Sequence, residues 1–242
     1  MDNHLLQTAM LFHDTRAEII SLAELGILIS GLLFLFRYVQ QLGVAIFMTL
    51  AVLIGNIQIL AESQFSFGTI PLGTLAFSAA FLASTLLNEH YGKKAATKAV
   101  LATFYAQIFF GLMMFITMAY KPTLGSSEPF KAIATLFSPS LRFFSASMLS
   151  YLSAQMFEIY VFDKLKRRAL FMRFNISVWA SALLDNIVFS FLAFYIFPVE
   201  PMPLKVVVVQ YIFGTYWIRI LISFLETPTI YLSYVLKAKH KL

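Results

Sequence analysis

Residues 207–236 read VVVQYIFGTYWIRILISFLETPTIYLSYVL. A membrane-crossing helix needs about 20 mostly apolar residues, and this stretch exceeds that length with Arg219 and Glu226 as its only charges. Tyr211, Thr215, Arg219, Ser223 and Glu226 recur at steps of four, four, four and three, which lines them up on one face of a helix. Phe213, Trp217, Ile220, Leu221 and Phe224 fall on the other face. An ionisable group near the bilayer centre costs about 2.5–3.5 kcal/mol on insertion scales. The polar stripe therefore has to face other helices, a ligand or water. Pro228 lacks a backbone donor, so the carbonyl of Phe224 loses its helical partner and a bend is expected there. Helices interrupted in this way often line transport sites. A structural ion pair that only holds helices together explains the same stripe, and both readings stay open.

Composition extends this reading to the whole chain. Of 242 residues, 60% are hydrophobic and 12% charged, against about 45–50% and about 25% in soluble domains. Too few polar side chains exist to cover a water-exposed globule. Disorder is excluded as well, because it needs low hydrophobicity and high charge. The fold class is an all-α polytopic membrane protein, a bundle of about seven transmembrane helices. Spans are expected near 19–36, 43–61, 72–88, 97–119, 142–163, 174–197 and 207–236. Connections are short apart from Tyr120–Leu141, whose Pro122, Gly125, Pro129 and Pro139 mark it as a loop. Residues 1–18 read as a polar segment without the order of a secretory signal.

The net charge of +6 could point to nucleic acid, so its placement decides. Arg37, Lys93, Lys94, Lys98, Lys164, Lys166, Arg167, Arg168, Arg173, Lys237, Lys239 and Lys241 all follow odd-numbered spans, which is 12 of the 18 basic residues. The positive-inside rule then sets the N-terminus outside and the basic tail, residues 237–242, in the cytoplasm. The bilayer is the partner that explains the charge, and no nucleic acid is required.

Other spans carry polar groups with helical spacing. In span 5, Tyr151, Gln155 and Glu158 share a face beside a small-residue stripe of Ala146, Ser150 and Ala154. That stripe permits close helix packing, inside the bundle or across a homodimer. In span 6, Ser177, Ser181 and Asp185 step by four, with Asn186 adjacent. Asn56 lies in span 2. Asn56, Ser177 and Ser181 are expected to make interhelical hydrogen bonds. Glu158 and Asp185 are expected to meet a ligand or a proton, because a buried carboxylate needs a reason to be there. Span 3 ends in Asn88, Glu89, His90, Tyr91, Gly92, Lys93, Lys94. Gly92 suits a left-handed cap and the lysines suit the negative end of the helix dipole, which disfavours Glu89.

Enzyme chemistry finds no support. The four histidines lie outside the spans, there is no cysteine, and neither a nucleophile elbow nor a nucleotide-binding loop occurs. Every lysine lies in a loop or at a span end, so none is placed for a Schiff base. No cofactor or metal is expected. The pattern left is a polar pocket assembled from several spans.

Four blocks carry a family resemblance: ASTLLNEHYGKKAATKAV (83–100), RFFSASMLSYLSAQMFEIYVFDKLKRR (142–168), SALLDNIVFSFLAF (181–194) and YWIRILISFLETPTIYL (216–232). In order and spacing they resemble the YhhQ-type queuosine-precursor transporters, the vitamin uptake transporter family, over about residues 45–236. The resemblance implies a six-helix transporter core at 43–236, preceded by an additional helix and loop at 19–42. Asn56 stands where that family's first helix usually has an asparagine. Thr85 stands where the family usually has an aspartate, and Glu158 where it usually has a shorter acid.

The implied cargo is a 7-deazaguanine base: queuine, or its 7-cyano or 7-aminomethyl precursor. A carboxylate, Glu158 or Asp185, would accept the two N–H groups of the guanine-like edge. Gln155, Asn186 or Arg219 would donate to its carbonyl, and Tyr151 or Tyr211 would stack on the ring. Glu89 or Arg219 would close or couple the cycle, which is either facilitative or driven by H+ or Na+. Asn56, Asn88, Glu89, Tyr151, Gln155, Glu158, Asp185, Asn186 and Arg219 are the candidate substrate-binding residues. Two other readings remain: a membrane substrate-binding subunit that needs partner ATPases, and a structural membrane protein that transports nothing.

Overall fold

The computed structural model describes residues 17–65, 68–123, 126–137, 140–198 and 200–238. The polar segment at 1–16 and the tail lysines Lys239 and Lys241 lie outside the described residues. The chain forms α1 (Ala17–Tyr38), α2 (Gln40–Gln58), a hairpin of β1 (Glu62–Phe65) and β2 (Gly68–Pro71), α3 (Thr74–Tyr91), α4 (Lys93–Ala119), α5 (Ser127–Phe137), α6 (Ser140–Lys164), α7 (Leu170–Phe191), α8 (Leu204–Val206) and α9 (Gly214–Ala238). Two π-helical segments extend the last long helices, Leu192–Ile196 after α7 and Val207–Phe213 before α9. The seven expected spans correspond to α1, α2, α3, α4, α6, α7 and α9.

Among the described residues, five of these helices are long and apolar enough to cross a membrane on composition alone. The other two, α3 and α6, are too polar for that, and their packing shows why. Helix α3 touches α1, α2, α4, α6 and α9, and 13 of its 18 residues are buried. Helix α6 packs between α4, α3 and α7. Both therefore face protein on most sides, and polar side chains there meet other side chains instead of acyl chains. The periphery is the reverse. Ile27, Phe115, Trp217 and Leu221 are all more than half exposed, as a lipid-facing surface requires.

The stripe Ala146, Ser150 and Ala154 is buried in the close α6–α7 contact, where the Ser150 hydroxyl donates to the carbonyl of Asp185 at 2.8 Å. It serves packing inside the bundle. Glycine does similar work between α2 and α3. A Cβ on Gly73 would lie 2.5 Å from the carbonyl oxygen of Gly55 and 3.0 Å from the amide of Ile59. Backbone cannot move aside as a side chain can. Gly73→Ala should therefore destabilise the protein by about 1–3 kcal/mol, read as a lowered unfolding midpoint in detergent.

Three local expectations are corrected. Residues 120–141 are not all loop: α5 occupies Ser127–Phe137. Pro129 falls in its first turn, where a missing N–H costs no helical bond, and Phe130, Ile133 and Phe137 recur at helical spacing. The link between α2 and α3 is an antiparallel hairpin with Glu62 opposite Pro71. Gly92 is required at the α3–α4 joint, but with φ +86° and ψ 165°, a region essentially reserved for glycine that is distinct from the left-handed helical cap. Its amide bonds Asn88 and its carbonyl accepts from Ala95 and Ala96. Lys93 and Lys94 therefore open α4 and do not close α3.

Candidate functional site

A cavity of about 330 Å³ opens at the hairpin end of the bundle, within the size range of small-molecule sites. Its walls come from the end of α2, β1, α3, α6, α7 and the π segments beside α7 and α9. Those π segments place Phe194 and Tyr211 with ring centroids 4.1 Å apart. Phe81 and Tyr151 add aromatic surface from α3 and α6. Single π turns inside helices often mark functional sites, and hydropathy and helical period carry no signal for them.

Charge in the cavity is concentrated in one constellation. Arg219 Nη1 donates to Asp185 Oδ2 at 2.5 Å, to Asn186 Oδ1 at 3.1 Å and to the Ala182 carbonyl at 3.5 Å. The guanidinium lies 5.1 Å from the Phe81 ring centre. Ser150 donates to the other Asp185 oxygen. Asn186 Nδ2 donates to Thr215 Oγ1 at 2.9 Å and to the Ile212 carbonyl at 3.0 Å. Asp185 and Asn186 of span 6 thus meet Thr215 and Arg219 of span 7 directly in the cavity wall. Arg219 is 5% exposed at its side chain and Asp185 18%, so the acid is the more open of the two toward the cavity.

A second polar layer lies deeper along α6, away from the cavity wall. Gln155 is fully buried, and neither its amide nitrogen nor its oxygen has a hydrogen-bond partner. Glu158, one turn on and also fully buried, accepts from the Thr85 hydroxyl, while its second oxygen has no partner. Thr85 thus supplies a donor where the resembling family usually has an acid. Asn56 Nδ2 donates to Gln107 Oε1 at 3.2 Å, the interhelical bond expected of it. Gln107, a buried amide within span 4, escaped the sequence reading, although the argument used for Gln155 applies to it equally. Ser177 and Ser181 depart from expectation. Both bond carbonyls of their own helix, at Phe174 and Ser177, because a helical serine readily reaches the preceding turn.

At the lysine-rich end, side-chain bonds tie α3, α6, α7 and α9 together. Arg173, placed by composition in a basic loop, is instead buried in α7 and donates to Glu89 Oε1 at 2.5 Å. Tyr234 of α9 donates to the same oxygen. This pairing explains the carboxylate that the helix dipole disfavours. His90 Nε2 meets Ser233 Oγ at 2.7 Å, Lys237 donates to the His90 carbonyl at 2.8 Å, and Asn88 donates to the Ile159 carbonyl at 3.2 Å. The candidate residues therefore separate into three tiers. Tyr151, Asp185, Asn186 and Arg219 line the cavity. Gln155 and Glu158 form the deeper layer, with Asn56 paired apart on α2. Asn88 and Glu89 belong to the bonded network at the lysine-rich end. Among the described residues, no three His, Asp or Glu side chains gather as a metal site.

The comparisons agree with this architecture. The model of the family described as "Putative vitamin uptake transporter" matches residues 71–233, which run from the end of the hairpin to the last turns of α9. A curated relative from Bacillus subtilis (strain 168), named "Probable queuosine precursor transporter", is 26% identical over 197 residues, covering 79% of this chain and 83% of the relative. No solved structure matches the chain. With a family match over more than half its length, the chain belongs to the vitamin uptake transporter family.

Proposed function

We propose that this protein imports a 7-deazaguanine precursor of queuosine: queuine, or its 7-cyano or 7-aminomethyl relative. The observation that carries the reading is the Asp185–Arg219–Asn186 constellation in an aromatic cavity open at one end. A carboxylate accepts two parallel N–H bonds from a guanine-like edge, a guanidinium or amide donates to the ring carbonyl, and aromatic faces hold the flat base. The named activity of the Bacillus subtilis relative points to the same cargo.

In this reading the cavity is the entry station. Asp185 meets the base first, and Gln155 with Glu158 completes recognition once helices shift around it. The hairpin end faces outward and the lysine-rich end faces the cytoplasm, a reading supported by the distribution of basic residues. Residues 43–236 form the transport core, in a bacterial inner membrane. In this reading an inward H+ or Na+ gradient supplies the driving force. No enzymatic step is assigned.

Transfer-RNA queuosine in a bacterium that neither makes nor imports the precursors tests the cargo. Expression of this chain with one base at low concentration should restore queuosine, and membrane-localised protein that restores it with none of the three bases would refute the cargo. Gln155 tests the site. Leucine removes two buried polar atoms that have no partner, which tends to be neutral or stabilising. Gln155→Leu should keep or raise the unfolding midpoint and yet lose most uptake. Normal uptake by that variant would remove Gln155 from the site.

A further inference from the structure

We propose that Glu226 carries the proton that drives accumulation of the substrate. Glu226 is 1% exposed, and both of its carboxylate oxygens lack a hydrogen-bond partner. It sits seven residues beyond Arg219 on the same face of α9, two turns or about 10 Å along the axis. Arg219 contacts Phe81 and Ser233 contacts His90, so Glu226 between them lies level with the middle of α3. The assignment rests on the transport reading above and adds the coupling ion and its carrier.

An ionised carboxylate buried without a donor is among the costliest arrangements a protein can hold. Either a proton or a bound cation must neutralise it. A metal cation such as Na+ would require a cage of oxygen ligands. No hydroxyl or amide hydrogen-bonds Glu226, and no cluster of acidic or histidine side chains surrounds it among the described residues. A proton requires no cage.

Among the described residues, the acids, arginines and histidine on the helices packed against α9 are engaged elsewhere. Of the tyrosines, Tyr91 lies under Lys237 Nζ, Tyr211 packs on Phe194, Tyr216 packs on Trp217 and Tyr38 is largely exposed. On α7, Arg173 pairs with Glu89 of α3, and Asp185 pairs with Arg219. On α3, His90 bonds Ser233. On α1, Glu24 accepts from Gln58 and Arg37 donates to the Leu236 carbonyl, while Glu18 interacts at the hairpin end beside a separate apolar pocket. On α9 itself, Tyr234 donates to Glu89 and Lys237 to the His90 carbonyl, and Tyr231 is nearly half exposed on the outer surface. Arg219 is the cation two turns back on the same face of α9, and its Nη2 is buried without a partner.

This geometry defines a switch. With Arg219 held by Asp185, Glu226 keeps its proton. When a substrate takes the Asp185 carboxylate, the guanidinium is freed while Glu226 still holds its proton. Opening of the lysine-rich end lets the guanidinium approach Glu226, and a cation within about 4–6 Å favours the ionised acid, so the proton is released to the cytoplasm on the same side as the substrate. Pro228, two residues on, removes a helical hydrogen bond at this level and lets α9 bend.

Two measurements on the purified full chain decide the matter. Infrared difference spectra of wild type against Glu226→Gln at neutral pH, without substrate, should show the carbonyl stretch of a protonated carboxylic acid that the variant lacks. Absence of that band overturns the proposal. In proteoliposomes with an inward proton gradient, wild type should accumulate radiolabelled queuine and acidify a trapped pH dye. Glu226→Gln should lose both to the level of protein-free vesicles, and Glu226→Asp should recover part of both, which separates coupling from misfolding. Accumulation and acidification by Glu226→Gln equal to wild type would overturn it. A wild type that shows the infrared band but takes up no deazaguanine refutes the cargo and leaves the proton site standing.

Discussion

Replacing Asp185 by alanine abolishes uptake and lowers stability by about 3–5 kcal/mol, the cost of stranding one member of a buried ion pair. Its partner Arg219 is 5% exposed and cannot recover its lost hydration by turning to water. The remaining contacts, to the amide oxygen of Asn186 and the carbonyl of Ala182, supply dipoles but no compensating charge. Removing both charges tests the energetics separately from transport. The double variant Asp185→Leu with Arg219→Met should be more stable than either single variant, because no orphaned charge remains. It should still fail to transport, because nothing is left to read the base edge. Chemical unfolding in detergent and uptake at equal membrane abundance give the two readouts. If Asp185→Ala transports normally, the constellation has no part in recognition.

The second large effect is expected at the opposite end. Arg173→Ala removes the cation that holds Glu89, leaving only the Tyr234 hydroxyl on that carboxylate. Helices α3, α7 and α9 lose their shared anchor, and the population shifts toward a form open at the lysine-rich end. A bias of about 1–3 kcal/mol changes the open-to-closed ratio by about 5–150-fold. The chain contains no cysteine, so one introduced thiol reports without background. Ser177 lies one turn deeper than Arg173 on the same face of α7 and is fully buried. A thiol reagent should therefore label Ser177→Cys slowly in the parent and many times faster with Arg173→Ala added. Equal labelling rates would show that the pair does not gate this end. Glu89→Gln should act in the same direction with a smaller effect, since its amide still accepts from Tyr234.

The membrane class, the places of the seven long helices and the inward-facing stripe on α9 were legible in the sequence. Hydropathy and a 3.6-residue period are local properties, so they survive without knowledge of neighbours. The same logic marked Glu158, Asp185 and Arg219 as charges in need of a purpose, and all three lie in the interior of the bundle. The hairpin and α5 were missed for a related reason: in both, short segments with turn residues fold in the context of the helices they cap.

Partners were decided only by the tertiary structure. Glu89 meets Arg173 84 residues along the chain, and Glu158 meets Thr85 73 residues away. Whether a polar side chain bonds across to another helix, as Asn56 does, or back to its own, as Ser177 does, depends on how each helix is rotated and which neighbour it touches. Rotation and order follow from the combined fit of side-chain volumes across the bundle, Gly73 against Gly55 and Ser150 against Asp185 among them. No single stretch of sequence contains that sum. A helix's polar face can therefore be read from its own residues, while the group that answers it is fixed by packing.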